Sequence, residues 1–252
     1  MRLSEKYHFS DFTTQNYRRL LRLAKQSYPI RTFDNYSQEE HFVIWRHDVD
    51  FSIHRAAQLA KVEKEEDVQA TYFLLLHSEF YNLLEKDASH CAREIIRNGH
   101  NIGLHFDASY YAITSEEQLE KHLRREQALL EDLFEVRIRS FSFHITDPFT
   151  MSCMRQSYAG LLNCYSDFFQ KEVTYCSDSN GYWRFKRLED VLKDNPKKLQ
   201  VLTHPALWQD KSMSPRERVW RCIDGRAEKT RNWYNKVLKD SVRDNVGPED
   251  VI

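Results

Sequence analysis

Glycine and proline are scarce in this chain, six of each in 252 residues, so the composition has no room for flexible or collagen-like linkers. Cysteine excludes more. The five present (Cys91, Cys153, Cys164, Cys176 and Cys222) are odd in number and never fall in a Cys-x-x-Cys spacing. Neither a disulfide framework nor a thiolate zinc knuckle is expected, and these residues read as small buried hydrophobes. No charge of one sign dominates: 37 Lys and Arg stand against 38 Asp and Glu, for a net charge of −1. With no long basic run, nothing argues for a nucleic-acid partner. No stretch approaches the ~20 apolar residues of a membrane span. The opening MRLSEKYHFSDF lacks the apolar core of a signal peptide, so cytoplasmic residence is the expectation.

What is present is a soluble globular composition, 41% hydrophobic and 30% charged. Residues 1–252 can form one domain around one sizeable core. Aromatic residues make up 13%, and five Trp allow a sugar-stacking cleft, although any single one is more simply read as core. A helix over about residues 11–28 is expected from Tyr17, Leu20, Leu21 and Ala24 at i, i+3, i+4 and i+7, with Asp11, Thr13 or Thr14 as caps. Thr114 and Glu117 form a plausible capping box for a long helix carrying Leu119, Leu123, Leu130 and Leu133. A last helix is expected over about 214–239. Between such helices lie short apolar runs: FVIWRHDV (42–49), ATYFLLL (70–76), NIGLHF (101–106), VRIRSFSFH (136–144), LLNCYS, VTYCS and LQVLTH (199–204). Buried strands alternating with helices mean parallel βαβ units. The expected fold is α/β, a distorted or incomplete (β/α) barrel of about seven parallel strands.

The unusual polar residues fall at the C-terminal ends of these strands: Asp48 and Asp50, His105 and Asp107, His144, and His204. In a parallel barrel those ends converge on one face, where sites are built. Asp48 and Asp50, one residue apart, project to the same side of an extended backbone. One carboxylate can hold a metal while the other takes a proton from water, and Arg46 or His47 is near enough to set its charge state. The alternative is a strand end surfacing into solvent. His105 and Asp107 repeat the i, i+2 geometry, and imidazole with carboxylate suits zinc or another borderline divalent ion. His144 is either a further ligand or an acid that polarises substrate. His204, fixed by Pro205, suits a general acid for an amine leaving group. His100, at a strand start, faces the opposite end and reads as structural. The loop SDSNGYWR supplies Asp178, Asn180, Trp183 and Arg184, which with Arg46 are the candidate carbohydrate contacts.

In this order, HDVD (47–50), GHNIGLHFD (99–107), SFSFH (140–144), SDSNGYWR (177–184) and LTHP (202–205) resemble the NodB-like polysaccharide deacetylases, the family-4 carbohydrate esterases. The match runs over roughly residues 40–210. It is closest to a subgroup associated with surface-polysaccharide biosynthesis. The resemblance implies a distorted (β/α) barrel and a metal held by one Asp and two His. By the match, Asp48 is the base, Asp50 and His105 are metal ligands and His204 is the acid. Two departures stand out. Ser109 occupies the position four residues after His105 where the family has a second His, and the family's Arg-Pro motif is replaced by His144, Ile145 and Thr146. Asp107, which shares a strand end with His105, is the favoured third ligand, and His144 is the other candidate. The expected activity is metal-dependent hydrolysis of an acyl group from an N-acetylated sugar, sugar nucleotide or polysaccharide precursor, with zinc the expected divalent ion. The rivals are a metal-free carbohydrate-binding protein on the same barrel and a hydrolase of another non-peptide C–N bond.

Overall fold

The alternating apolar runs and amphipathic segments form, in the computed structural model of the chain, a curled sheet with helices packed on its outer face; the structure describes residues 1–247. The strands are β1 (Ile30–Arg31), β2 (Phe42–Val49), β3 (Thr71–Leu75), β4 (Asn101–Phe106), β5 (Ser140–Phe143), β6 (Ser157–Tyr158), β7 (Leu161–Asn163), β8 (Thr174–Ser177) and β9 (Lys198–Thr203). Their order is β6-β7-β5-β4-β3-β2-β9-β8, with β1 paired to the start of β2. Every pairing is parallel except β6 with β7. Among the described residues no pairing joins β6 to β8, so the barrel is open, as expected. The extra strands β1 and β6 are two residues long, too short to carry a period-2 signal, and the expected run LLNCYS shortens to the three residues of β7.

The helices are α1 (Leu3–Lys6), α2 (Thr14–Ser27), α3 (Ile53–Glu65), α4 (Lys86–Arg97), α5 (Glu116–Phe134), α6 (Pro148–Ser152), α7 (Asp167–Lys171), α8 (Leu188–Asp194) and α9 (Pro215–Asp240). Thr13 caps α2 by accepting from the Asn16 amide, and Tyr17, Leu20, Leu21 and Ala24 are its buried face, as the spacing predicts. Two expectations shift. The cap of α5 is Ser115, not Thr114, because its hydroxyl accepts from the Gln118 amide. The strand expected over 136–144 shortens to β5, because α5 closes on Glu135 with φ 57° and the Ile138 amide donates to the Glu131 carboxylate instead of joining the sheet.

The strand β2 is buried along its whole length on both faces. Its odd positions Val43, Trp45 and Val49 join the main core beneath the helices, where Ala56, Ala57 and Ala60 let α3 lie close. Its even positions point inward. Phe42 and Ile44 meet Phe33, Phe73, Cys164, Phe169 and Val173 in a smaller inner core. The next two even positions are Arg46 and Asp48, so the inner core turns from apolar to charged within one strand. Gly103 of β4 pairs with Phe73 of β3, and a Cβ there would stand 2.4 Å from the Phe73 ring. Only glycine lets that ring lie across the floor of the half-barrel. Among the described residues no helix is long and apolar enough to cross a membrane.

Candidate functional site

Five strands deliver side chains to one mouth of the half-barrel: Asp48 and Asp50 from β2, His105 from β4, His144 after β5, Asp178 after β8 and His204 after β9. The first four belong to neighbouring parts of the sheet, and Asp48, Phe73 and Gly103 lie in register across β2, β3 and β4. Asp50 Oδ1 lies 3.0 Å from His105 Nε2 and 3.4 Å from His144 Nδ1, and the two imidazole nitrogens are 3.1 Å apart. These three residues form a cluster of ligand atoms able to hold a metal ion.

The hydrogen bonds around the triangle fix who carries protons. The Ser142 hydroxyl donates to Asp48 Oδ1 at 3.2 Å, since a carboxylate only accepts. Its oxygen is then free to accept from His105 Nδ1 at 2.8 Å, with the Ser142 carbonyl also 3.3 Å away. A proton on Nδ1 of a neutral imidazole leaves a lone pair on Nε2, and that lone pair faces the Asp50 carboxylate. A neutral His144 brings at most one proton to these three acceptor atoms. Asp50 Oδ1 is buried without a well-formed hydrogen bond. A cation answers this arrangement. Zinc–ligand bonds of about 2.0–2.1 Å in a tetrahedral site put ligands ~3.3 Å apart, close to the edges of this triangle. The donor set, two imidazoles and one carboxylate, is one that catalytic zinc shares with other borderline divalent ions.

Asp48 sits beside the triangle, 3.9 Å from His105 Nε2, and is nearly fully buried. Burial alone would raise its pKa, but the Arg46 guanidinium 2.9 Å away outweighs this and holds the carboxyl below its ordinary range. Arg46 is itself fully buried between the Phe73 and Tyr165 rings, and also donates to the Tyr165 hydroxyl at 3.2 Å. On the other side stands His204, its Nε2 3.5 Å from Asp50 Oδ2. Its Nδ1 is 2.6 Å from Asp178. Burial pulls the imidazole down, but the Asp178 carboxylate, with Asp50 and Asp48 beyond, pushes it up to about 9. At neutral pH the ring is therefore an imidazolium with its second N–H turned to the mouth. Three carboxylates face two cations, Arg46 and His204; burial opposes charge on His144 but the Asp50 carboxylate raises its pKa, so either a bound cation or a proton on His144 supplies the third positive charge.

The structure brings Asp48, Asp50, His105, His144 and His204 together, with Asp178 behind His204 and Arg46 behind Asp48, and leaves Asp107, Asn180, Trp183 and Arg184 outside. Asp107 is outside the cluster. The strand ends at Phe106, and the Asp107 carboxylate turns back to accept from the Ser109 amide and hydroxyl and from the Tyr110 amide. Of the two candidates for third ligand, His144 lies in the cluster with Asp50 and His105 and Asp107 does not. Arg46 is too deep to meet a substrate and pairs with Asp48 instead. Asp178 is also fully buried, accepting from the His204 backbone amide and from Trp208 Nε1 at 2.9 Å. Trp183 donates to Asp11 and stacks on Phe12, 5.1 Å between ring centres. Asn180 and Arg184 are not fully buried; Arg184 lies over the Phe185 ring and Asn180 takes φ 64° in a tight turn. Sequence reasoning passes over Ser142, although it lies on β5 two residues before His144.

No family model matches the chain, and no curated protein matches it. Solved structures do. A family 4 carbohydrate esterase from Bacillus anthracis is 14% identical, with 82% of this chain and 85% of that one covered and a TM-score of 0.44. The chitin deacetylase of the fungal pathogen Colletotrichum lindemuthianum is 14% identical over 74% of this chain and 82% of that one, at 0.41. Wild-type BA3943, a pseudoenzyme of the same esterase family from Bacillus anthracis, is 17% identical over 77% of this chain, at 0.40, and the chain spans only 63% of its length. These are carbohydrate esterases and deacetylases, the group that the motifs resemble. At such scores the likeness adds nothing to the chemistry, which rests on the geometry of the mouth.

Proposed function

We propose that the chain is a metal-dependent hydrolase that deacetylates an N-acetylated carbohydrate, whether a free sugar, a sugar nucleotide or a polysaccharide precursor. The observation that carries this reading is the triangle of Asp50 Oδ1, His105 Nε2 and His144 Nδ1, all lone pairs and too few protons, with a carboxylate and an imidazolium on its flanks. Asp50, His105 and His144 would hold a divalent ion, zinc among those the donor set suits. Once bound, such an ion supplies Lewis-acid polarisation of a carbonyl and lowers the pKa of water to ~7.

The protein's own groups do the rest. Asp48, held ionised by Arg46 and oriented by Ser142, accepts the proton of the water whose oxygen adds to the amide carbonyl carbon. His204, charged and aimed by Asp178, donates its Nε2 proton to the nitrogen as the C–N bond breaks, which leaves a carboxylate and an amine. The carbohydrate class is carried by the motif resemblance and by the mouth's position in an open barrel.

The test is zinc content by elemental analysis of protein purified without chelator, beside Asp50→Ala, followed by amine release from N-acetylated sugars. One ion per chain, lost by more than about 100-fold in affinity in the variant, supports the reading. Equal metal in both proteins overturns it, and leaves the metal-free carbohydrate-binding alternative.

A further inference from the structure

The helix α9 runs for 26 residues and buries only Arg218. Its first turns are tied down. Arg218 donates to the carbonyls of Gly181, Phe9 and Met213. Further on, Arg226 pairs with Glu85 and Lys229 with Asp87. Among the described residues, no ion pair or side-chain hydrogen bond joins α9 to another helix or strand beyond Lys229. Isolated helices are marginal in water, and Gly225 in the interior weakens this one further. Something else must cover its apolar side.

That side has a strict repeat. Trp220, Ile223, Ala227, Thr230, Tyr234 and Val237 follow one another at intervals of 3, 4, 3, 4 and 3. This is the a/d spacing of a coiled-coil seam, which another helix of the same repeat fills. The seam is exposed: Trp220 55%, Ile223 48%, Tyr234 54% and Val237 38%. At ~100° per residue it lies more than a third of a turn round the helix from the line of Arg218, Cys222 and Lys229 that faces the body, so the body leaves it open.

We infer that the seam pairs with α9 of a second copy of this chain, antiparallel, across a two-fold axis. The charges beside the seam choose both the partner and the direction. In an antiparallel pair Trp220 meets Val237 of the second copy, Ile223 meets Tyr234 and Ala227 meets Thr230. The flanking Asp224 then falls beside Arg231 of the other copy, and symmetry repeats the pair. A parallel pair would instead set Arg226 beside Arg231, like against like. Neither Asp224 nor Arg231 makes an ion pair within the described residues, so both are free for this one. The inference is independent of the chemistry at the mouth.

Sedimentation of the full chain over a dilution series tests it. The expected particle has twice the chain's mass, and Ile223→Glu, at an exposed position, gives a folded monomer by circular dichroism. Asp224→Arg alone and Arg231→Asp alone should each raise the dimer Kd about tenfold, and the two together should restore it. A monomeric parent chain overturns the proposal, including one that instead binds phosphatidylcholine vesicles through the seam. A dimer that survives Ile223→Glu, or that the paired charge swap does not restore, overturns it too.

Discussion

His47 and Asp48 are adjacent in sequence and point to opposite faces of β2, and each lies in a buried cluster of acid and imidazole. The outer cluster is saturated. Glu63 of α3 accepts from the Tyr17 hydroxyl at 2.5 Å and the Tyr72 hydroxyl at 2.6 Å, and bonds His47 Nε2 at 2.6 Å. The other nitrogen of His47 meets the Thr203 hydroxyl at 2.7 Å. His100 Nε2 reaches the Ala60 carbonyl at 2.9 Å, and its Nδ1 accepts from the Ala70 amide at 3.2 Å. None of these atoms is left without a partner. The inner cluster uses the same residue types and leaves Asp50 Oδ1 and two guanidinium nitrogens of Arg46 unmatched. Composition does not separate a structural cluster from a functional one. The count of partners separates these two: the outer one closes on itself, and the inner one leaves an acceptor at the mouth and two donors beneath it unmatched.

The largest effect is expected at the saturated side. Glu63→Ala leaves the His47 imidazole and two phenols, Tyr17 and Tyr72, buried without their shared acceptor, and should cost about 3–5 kcal/mol in urea denaturation. Were it tolerated at under ~1 kcal/mol, the outer cluster would not be a strut of the fold.

Glu126 stands between the two cases. Its Oε1 is 3.0 Å from His77 Nε2, while Oε2 is buried without a partner. Burial, with Asp107 adding to it against Tyr111 and Arg125, raises this carboxyl from its ordinary 4.5 to about 7. The fold thus favours the protonated form. That contribution is complete below pH 4.5 and is lost as pH rises through about 7. Glu126→Gln should remove this loss and gain on the parent by up to ~3 kcal/mol at pH 8, with little difference at pH 4, in urea midpoints measured at both. An equal difference at the two pH values would contradict the assignment.

Ser142→Ala probes the inner side at one remove. It frees the His105 tautomer and should weaken zinc binding about tenfold by competition titration, with Asp50→Ala as the larger reference. The smallest effect belongs to Asp107→Asn, which should change zinc affinity less than about twofold, since its carboxylate serves a turn. A large loss there would reopen the choice of third ligand.

Most of the mouth is legible in the order of residues. An apolar run that ends in an acid or a histidine is conspicuous, and four such runs in βαβ order imply convergence whatever their exact register. The misreadings share one cause. Asp107 follows His105 by two residues and should share its face, but β4 stops at Phe106 and the periodicity stops with it. Asp178, Trp183 and Arg46 look, in sequence, like polar groups awaiting a sugar. For Asp178 and Trp183 the partners, His204 and Asp11, lie 26 and 172 residues away, beyond what local pattern can see, whereas Arg46 pairs with Asp48 two residues on, as its position in the sequence allowed. Ser142 stays hidden because a serine in an alternating strand has no signal of its own.

The chain's pattern by itself determined the parallel open barrel and the mouth at which its acids and imidazoles gather, because side-chain period and strand direction are local properties. Only the folded structure assigned partners. It set His105 Nδ1 against Ser142 and Nε2 against Asp50, and it sealed Arg46 beneath Asp48. Those facts depend on distances between strands that the sequence does not contain.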